Sequence, residues 1–243
     1  GYFCSFAINT SGELYAWGRN DTGNLGLGHT SNRYTPVRVG SAANWASVAC
    51  RHGTLAINTS GELYAWGNNS YGQLGLGDTT SRNTPTRVGS ATNWVKVAAG
   101  YFCSFAINTS GELYAWGNNS YGQLGLGDTT SRNTPTRVGS ATNWISVAGY
   151  IHTLAINSSG ELYACGENQY GGLGLGDTIA RNTLTQVGSA TNWVSVAAGY
   201  YYSLAINSSG ELFAWGDNTH GKLGLGDTTY RYEPTQVGNA TGW

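Results

Sequence analysis

Methionine occurs nowhere in the 243 residues, and charged residues supply only 10% of them. Twelve Lys and Arg stand against 13 Asp and Glu, and neither sign gathers into a run. The electrostatic footprint that nucleic acid or an anionic membrane surface requires is therefore missing, so no nucleic-acid partner is expected. No stretch reaches the roughly 18 consecutive apolar residues of a membrane helix, and no basic start followed by an apolar run marks a signal peptide. The chain reads as soluble, without membrane insertion. Any targeting segment would lie outside it, and a secreted or cell-surface setting is favoured over the cytoplasm. Gly1 already falls inside a recurring pattern, so the sequence reads as a processed or trimmed segment.

Cysteine and proline are equally scarce, at four each. Cys4 and Cys103 occupy equivalent places in a repeat, Cys50 follows "VA", and Cys165 stands where other repeats have tryptophan. No CxxC or metal-ligand spacing exists, which points to four unpaired small hydrophobes and no metal or other cofactor. Catalytic patterns are missing as well. The histidines His29, His52, His152 and His220 fall at different repeat positions, and no G-x-S-x-G, H-E-x-x-H or G-x-x-x-x-G-K-[ST] occurs. The glycines of "GQLGLGD" are followed by loop and proline, whereas a dinucleotide fingerprint needs a helix there. Glu13, Glu62, Glu112, Glu161 and Glu211 recur one per repeat with no second carboxylate facing them, unlike a glycosidase pair. An enzyme is not expected.

Glycine is what the chain has in excess, with 37 residues, and together with the low charge it excludes long surface helices in favour of short strands and tight turns. "AWGNNSYGQLGLGD" fills Ala65 to Asp78 and returns unchanged at Ala115 to Asp128. The "SGEL" glycines Gly12, Gly61, Gly111, Gly160 and Gly210 are spaced by 49, 50, 49 and 50 residues, and Ala56–Trp94 matches Ala106–Trp144 over 39 letters. A period near 50 indicates a propeller or a solenoid. Within one unit "WVKVAAG", "CSFAIN" and "LYAW" each alternate or run apolar between turn signals. "TPTRVG" adds a fourth extended segment whose proline lies near its start. Four antiparallel strands per unit are too few to bury both faces, so the units pack on one another. The expected fold is an all-β propeller in one domain over residues 1–243, with units at about 1–45, 46–94, 95–144, 145–193 and 194–243. Leu74 and Leu76 should insert between units, where the flanking glycines allow the backbone close approach.

The order "VAAG…SFAINTSGELYAWGNNSYGQLGLGD…P…V" resembles the repeat of the regulator of chromosome condensation (RCC1) family, over all five units. The resemblance implies a β-propeller of four-stranded blades. Members usually close with more blades than five, so an incomplete ring, or one closed by further chain or by a second molecule, is expected. Unit four departs from the pattern at Cys165 and Leu184. The family's usual histidine ahead of the second strand survives only as His152, with Cys4, Gly53, Cys103 and Tyr202 in its place. The family includes exchange factors for small GTPases, a plant light receptor and protein inhibitors of enzymes, so it does not choose a function. The tryptophans sit only at repeat-defining places, which disfavours a light receptor.

Three sets of residues could carry function. Between "VAAG" and the next strand, two positions read Tyr2-Phe3, Arg51-His52, Tyr101-Phe102, Tyr150-Ile151 and Tyr200-Tyr201. They vary where the repeats otherwise copy one another, and they stay large and mostly aromatic, as anchors for a protein partner would; the alternative is that they cap the blade ends. Asp78/Arg82, Asp128/Arg132, Asp177/Arg181 and Asp227/Arg231, with His29/Arg33 as the exception, should brace their own loops rather than form an anion site. The "N-[TS]-S" triplets at Asn9, Asn58, Asn108, Asn157 and Asn207 are good turn chemistry and, on a secretory route, possible glycan acceptors. The favoured function is a non-catalytic protein-binding module that uses the aromatic tips of one propeller face. The alternative is a structural repeat protein that self-associates head to tail through open ends.

Overall fold

In the computed structural model, residues 4–243 are described. Every regular element among them is a strand, arranged as five antiparallel sheets. The first sheet contains β1 (Cys4–Ile8), β2 (Leu14–Gly18) and β3 (Arg33–Arg38), and the second β4 (Trp45–Cys50), β5 (Gly53–Asn58), β6 (Leu63–Gly67) and β7 (Arg82–Arg87). The third contains β8 (Trp94–Ala99), β9 (Cys103–Asn108), β10 (Leu113–Gly117) and β11 (Arg132–Arg137). The fourth contains β12 (Trp144–Gly149), β13 (His152–Asn157), β14 (Leu162–Gly166) and β15 (Arg181–Gln186). β16 (Trp193–Ala198), β17 (Tyr202–Asn207), β18 (Glu211–Gly216) and β19 (Arg231–Thr241) make the fifth. Each sheet is a meander in which sequence neighbours pair.

The strands fall into two compact units. The first runs up to Asn118 and includes Ser131–Arg137; the second comprises Asn119–Thr130 and Val138–Trp243. A loop of the third repeat thus groups with the strands that follow it.

Two departures from simple alternation have local causes. Trp94 pairs with Asn108 but Lys96 with Ile107, so Val95 is an extra residue in a bulge. The bulge lets Trp94 face inward, 7% exposed, while Val95 turns out at 49%. Pro135 lies in the middle of β11 rather than near its start. It is tolerated there because β11 is an edge strand whose register on β10 already shifts between Ala115 and Gly117.

The repeated glycine-rich loop is what joins successive sheets. Leu74 is fully buried in one cluster with Leu55, Ile57, Leu63 and Ala65 of its own sheet and Ala106 and Trp116 of the next. The Gln73 carbonyl beside it accepts from Trp116 Nε1 at 2.9 Å and Ser104 Oγ at 2.7 Å. The same pair of donors recurs on Asn24 O, from Trp66 at 2.9 Å and Thr54 at 3.0 Å, and on Gly172 O, from Trp215 at 2.9 Å and Ser203 at 2.7 Å. Inside each loop a buried asparagine is the hub. Asn69 Oδ1 accepts from Leu74 N at 2.9 Å, and its Nδ2 donates to Asp78 and Thr80 oxygens at 2.9–3.1 Å.

Tryptophans at the start of the first strands have a different surrounding. The Nε1 atoms of Trp45, Trp94, Trp144 and Trp193 are buried with no conventional acceptor. Each indole meets an aromatic ring edge to face, on Tyr64, Tyr114, Tyr163 and Phe213 at 5.0–5.2 Å, an arrangement in which the polar edge of an indole can donate to a π face.

The fourth repeat solves its loop packing with another pair of residues. Cys165 takes the tryptophan position and directs its Sγ at Gln123 O, 3.6 Å away, where Thr153 Oγ1 also donates at 2.8 Å. A Cβ on Gly125 would meet Cys165 Sγ at 3.2 Å and Leu184 Cγ at 3.4 Å, whereas on the equivalent Gly75 it would meet Trp116 and Pro135. Leu184 therefore stands where Pro135 stands in the preceding blade, and the two departures noted in the sequence surround the same glycine. Cys165→Trp alone is expected to overpack the site and cost about 1–3 kcal/mol. Adding Leu184→Pro should recover part of this, giving a coupling of about 0.5–2 kcal/mol in a denaturation double-mutant cycle. Strictly additive effects would show that the two positions are independent.

Candidate partner-binding site at the hairpin tips

Each tip joins the first and second strands of a sheet. Cys50 pairs with Thr54 and Gly149 with Thr153, leaving three residues between them; Ala99 pairs with Ser104 and Ala198 with Ser203, leaving four. The extra residue explains the alternating repeat spacing of 49 and 50. In the two longer tips the backbone is forced into the left-handed region at Phe102 (φ 60°) and Tyr201 (φ 65°). Aromatic residues are rarely held there, and each costs of order 1–3 kcal/mol. The strain is stabilised by carbonyl bonds: Phe102 O accepts from Asn118 N at 2.8 Å and Tyr201 O from Asp217 N at 2.9 Å.

In the first unit the tip side chains form one aromatic group. His52 lies 4.8 Å from Tyr101 and 4.3 Å from Phe102, Tyr101 and Phe102 are 4.4 Å apart, and Tyr71 adds its ring to Phe102 at 4.8 Å. Burial and the Arg51 charge hold the His52 pKa below its ordinary value, which favours the neutral ring. Tyr71, 43% exposed, comes from the glycine-rich loop and belongs to this surface.

The second unit builds a group of tyrosines. Tyr200 and Tyr201 are 4.1 Å apart, Tyr150 lies 5.2 Å from Tyr200, and Tyr170 contacts Tyr201 at 4.7 Å and Tyr230 at 5.7 Å. Tyr200 is 48% exposed, whereas Tyr150 and Ile151 are buried. In this chain the Tyr150-Ile151 tip supports its neighbour more than it presents surface. The Tyr201 phenol is pushed up by its hydrogen bond with Tyr200, by burial and by nearby charge, including that of Glu167. Tyr2 and Phe3, the remaining expected tip residues, lie outside the described residues.

The other candidate sets resolve as scaffold. Arg82, Arg181 and Arg231 each place Nη2 on their aspartate at 2.6–2.7 Å and Nη1 on a backbone carbonyl two residues back at 2.5–2.7 Å. These bonds hold Asp78 and Asp227 below the usual carboxylate range, and a backbone bond from Ile179 together with Arg181 does the same for Asp177. Arg33 makes the corresponding contact to His29 Nε2 at 2.6 Å.

Four of the five "N-[TS]-S" asparagines are not open glycan acceptors in the fold, while Asn9 is exposed, with its Nδ2 donating to Glu13 at 2.7 Å. Asn58, Asn108, Asn157 and Asn207 are only 5–6% exposed, and the Nδ2 a glycan would use donates to Glu62, Glu112, Glu161 and Glu211 at 2.6–2.7 Å. The recurring glutamates are likewise engaged, and Glu13, Glu62 and Glu112 also pair with Arg38, Arg87 and Arg137.

His152 opens β13, as Cys4, Gly53, Cys103 and Tyr202 open the matching strands, and its Nε2 lies 2.8 Å from Ser203 Oγ. None of Cys4, Cys50, Cys103 and Cys165 is in a disulfide, and Cys50 alone is half-buried. Among the described residues no group of three metal-ligating side chains occurs, and no helix is long and apolar enough to cross a membrane. Concavities of about 590 Å³ beside Trp94 and about 610 Å³ beside Trp193 occupy matching places in the repeat and are lined mainly by matching residues.

Five sheets of one pattern, with a loop carbonyl taken by a tryptophan of the next sheet three times and by Cys165 once, indicate a repeat architecture, and the family comparison identifies it. The model described as the Regulator of chromosome condensation (RCC1) repeat matches residues 11–55, 60–107, 110–156, 159–206 and 209–242. The chain belongs to the RCC1 repeat family. Its sheets are blades of the RCC1 β-propeller type. The structure of yeast RCC1 (Prp20) bound to Kap60 is similar, with a TM-score of 0.87 and 25% identity over 98% of this chain and 59% of that one. Human WBSCR16 gives 0.87 and 25% over 98% and 65%. Prp20p from Saccharomyces cerevisiae, a structure reported with its binding to Gsp1p and histones, gives 0.87 and 26% over 98% and 61%. The chain thus spans about three fifths of the length of these RCC1 relatives.

Sequence reasoning missed three things about the RCC1 blades. The hub asparagines Asn20, Asn69, Asn119, Asn168 and Asn218 were visible as one of the polar positions identical in all five loops. Tyr71 and Tyr170 join the tips from one repeat position, which reads Thr22, Tyr71, Tyr121, Tyr170 and His220 and whose variation was legible, while Tyr230 packs on Tyr170 from further along its loop. The residues after "AWG" or "ACG", namely Arg19, Asn68, Asn118, Glu167 and Asp217, vary as the tips do, and their variation was legible.

Proposed function

We propose that this chain is a non-catalytic protein-binding module whose contact surface is the set of hairpin tips. The observation that carries the reading is the division between copied and varied positions. Loop hubs, turn networks and tryptophan joints repeat nearly letter for letter, while Arg51-His52 and Tyr101-Phe102 in the first unit and Tyr200-Tyr201 in the second differ, and each unit gathers its own group of partly exposed aromatic rings. Tyr and Arg in such clusters are the side chains that anchor protein interfaces. Strained backbone at Phe102 and Tyr201 fits a preorganised surface. Related RCC1 proteins are described with protein partners, Kap60 in one structure and Gsp1p and histones in another.

Affinity capture from an extract of the source cells with the wild-type chain, repeated with Tyr101→Ala plus Tyr200→Ala, tests this. The double variant should keep its fold and lose at least about 30-fold in affinity for the captured protein, roughly the loss of two modest anchors. Undiminished binding would remove the tips from the interface.

A second reading, self-association, has one observation in its favour. Among the described residues β1 is the edge strand of a three-stranded sheet, an edge that a strand of a second molecule or of further chain would pair. Light scattering over a hundredfold concentration range separates the two, since a concentration-independent monomer excludes assembly.

A further inference from the structure

We infer that Glu167, together with Tyr170, Tyr200 and Tyr201, forms a receptor for a cationic side chain, an arginine or lysine, of the protein partner. The inference rests on the tip-binding reading and gives it a chemistry. In the second blade the equivalent residue, Asn68, is satisfied within its own loop: its Oδ1 accepts from Gln73 Nε2 at 2.6 Å and from Ser70 N at 3.1 Å. In the fifth blade Asp217 is paired with Lys222 at 2.7 Å, at the position of Gln73. The fourth blade changes both members at once. The residue after "ACG" becomes a longer carboxylate, and the position that should supply its partner is Gly172.

Glu167 is left only 8% exposed with one hydrogen bond, from Gln169 N to Oε1 at 2.6 Å. No cation pairs with it among the described residues, and its second oxygen is not among the fully enclosed unpartnered atoms. A largely desolvated carboxylate with no cationic partner is unfavourable, and burial pushes its pKa up against the opposing bond from Gln169 N. Its backbone N donates to Ile151 O at 3.2 Å, which fixes it beneath its own tip, and a Cβ on Gly172 would meet Tyr201 O at 3.3 Å, which brings the next tip against the vacated position. Gln169 Nε2 reaches Tyr170 Oη at 3.5 Å, and the rings of Tyr170, Tyr201 and Tyr200 follow in contact. A carboxylate joined to the Tyr170 end of this ring group through Gln169, and near enough for its charge to act on the Tyr201 phenol, would attract a cation by charge while the rings add their quadrupoles, and a planar guanidinium suits both.

The test is an NMR titration of the full chain with acetyl-Gly-Arg-Gly-amide and with the same peptide carrying neutral citrulline. The arginine peptide should shift the Glu167 carboxyl carbon and the Tyr170 and Tyr201 ring signals saturably, with citrulline at least about tenfold weaker. Glu167→Gln, which resembles the asparagine of other blades, should remove this preference, while Glu233→Gln leaves it intact. Equal titration by the two peptides, or an undiminished preference in Glu167→Gln, would overturn the inference. The citrulline comparison on the wild-type chain decides even if the variant folds poorly. Failure here with loss of capture by the Tyr101→Ala, Tyr200→Ala chain would leave the tip reading standing and remove only the cation site.

Discussion

Trp116→Ala should destabilise the first unit by about 3–5 kcal/mol, among the largest effects of any single substitution in the chain. The indole is fully buried in a cluster that draws on two blades, so its loss leaves a cavity neither blade can close alone. Its Nε1 also holds the Gln73 carbonyl, which would keep only Ser104 as donor. Trp116→Phe should cost less, about 1–3 kcal/mol, because most of the volume remains while the hydrogen bond is lost. Because repeat proteins are stabilised by nearest-neighbour contacts, the damage should be local first. Hydrogen exchange would register it in β9, β10 and the loop around Leu74 before the more distant strands. A denaturation midpoint within error of wild type would show that the loop-to-tryptophan joint does not hold the blades.

Gly75→Ala should cost about 2–5 kcal/mol, and Gly89→Ala no more than about 1–2 kcal/mol, although both glycines have nearly the same φ, +72° and +62°. The common part is the penalty of a side chain in the left-handed region. The difference is the neighbourhood: a Cβ on Gly75 would lie 2.8 Å from Trp116 Nε1, while on Gly89 it would find nothing within 4 Å. Trp116 has its own bond to keep and cannot withdraw. In a Trp116→Ala background the excess cost of Gly75→Ala should therefore shrink, and urea denaturation of the four variants measures it. Equal costs for Gly75→Ala and Gly89→Ala would mean that backbone conformation alone selects glycine in this motif.

Much of the scaffold was legible because it is copied. The "SGEL" spacing gave five blades, alternation gave the strands, and glycine after glycine around Leu74 signalled close approach. Copying also identified the Asp/Arg pairs as braces, since a feature present in every blade serves the blade. What escaped notice depends on contacts between distant positions. The bulge at Val95 is invisible to a period-two pattern, and only the packed sheet shows why Trp94 turns inward. Cys165 in place of Trp and Leu184 in place of Pro read as two separate departures in the sequence, and only the packed loop shows that both lie around Gly125. The Asn58-type triplets matched a glycan pattern by letters alone, whereas the fold spends the same amide on Glu62. At the tips, the aromatic character was readable, but the separation into a half-exposed group around Phe102 and a partly buried one around Tyr150 required the three- and four-residue turns to be placed.

The claim at the centre is that varied tips contact a partner while copied positions build the blades. Hydrogen–deuterium exchange on the chain, alone and saturated with the captured protein, tests it most directly. Protection should appear at Arg51-His52, Tyr101-Phe102 and Tyr200-Tyr201 and in the loops carrying Tyr71 and Tyr170, with the turns at Gly61, Gly111, Gly160 and Gly210 unchanged. Protection confined to those turns or to the Asp/Arg loops, with the tips exchanging as in the free chain, would contradict it.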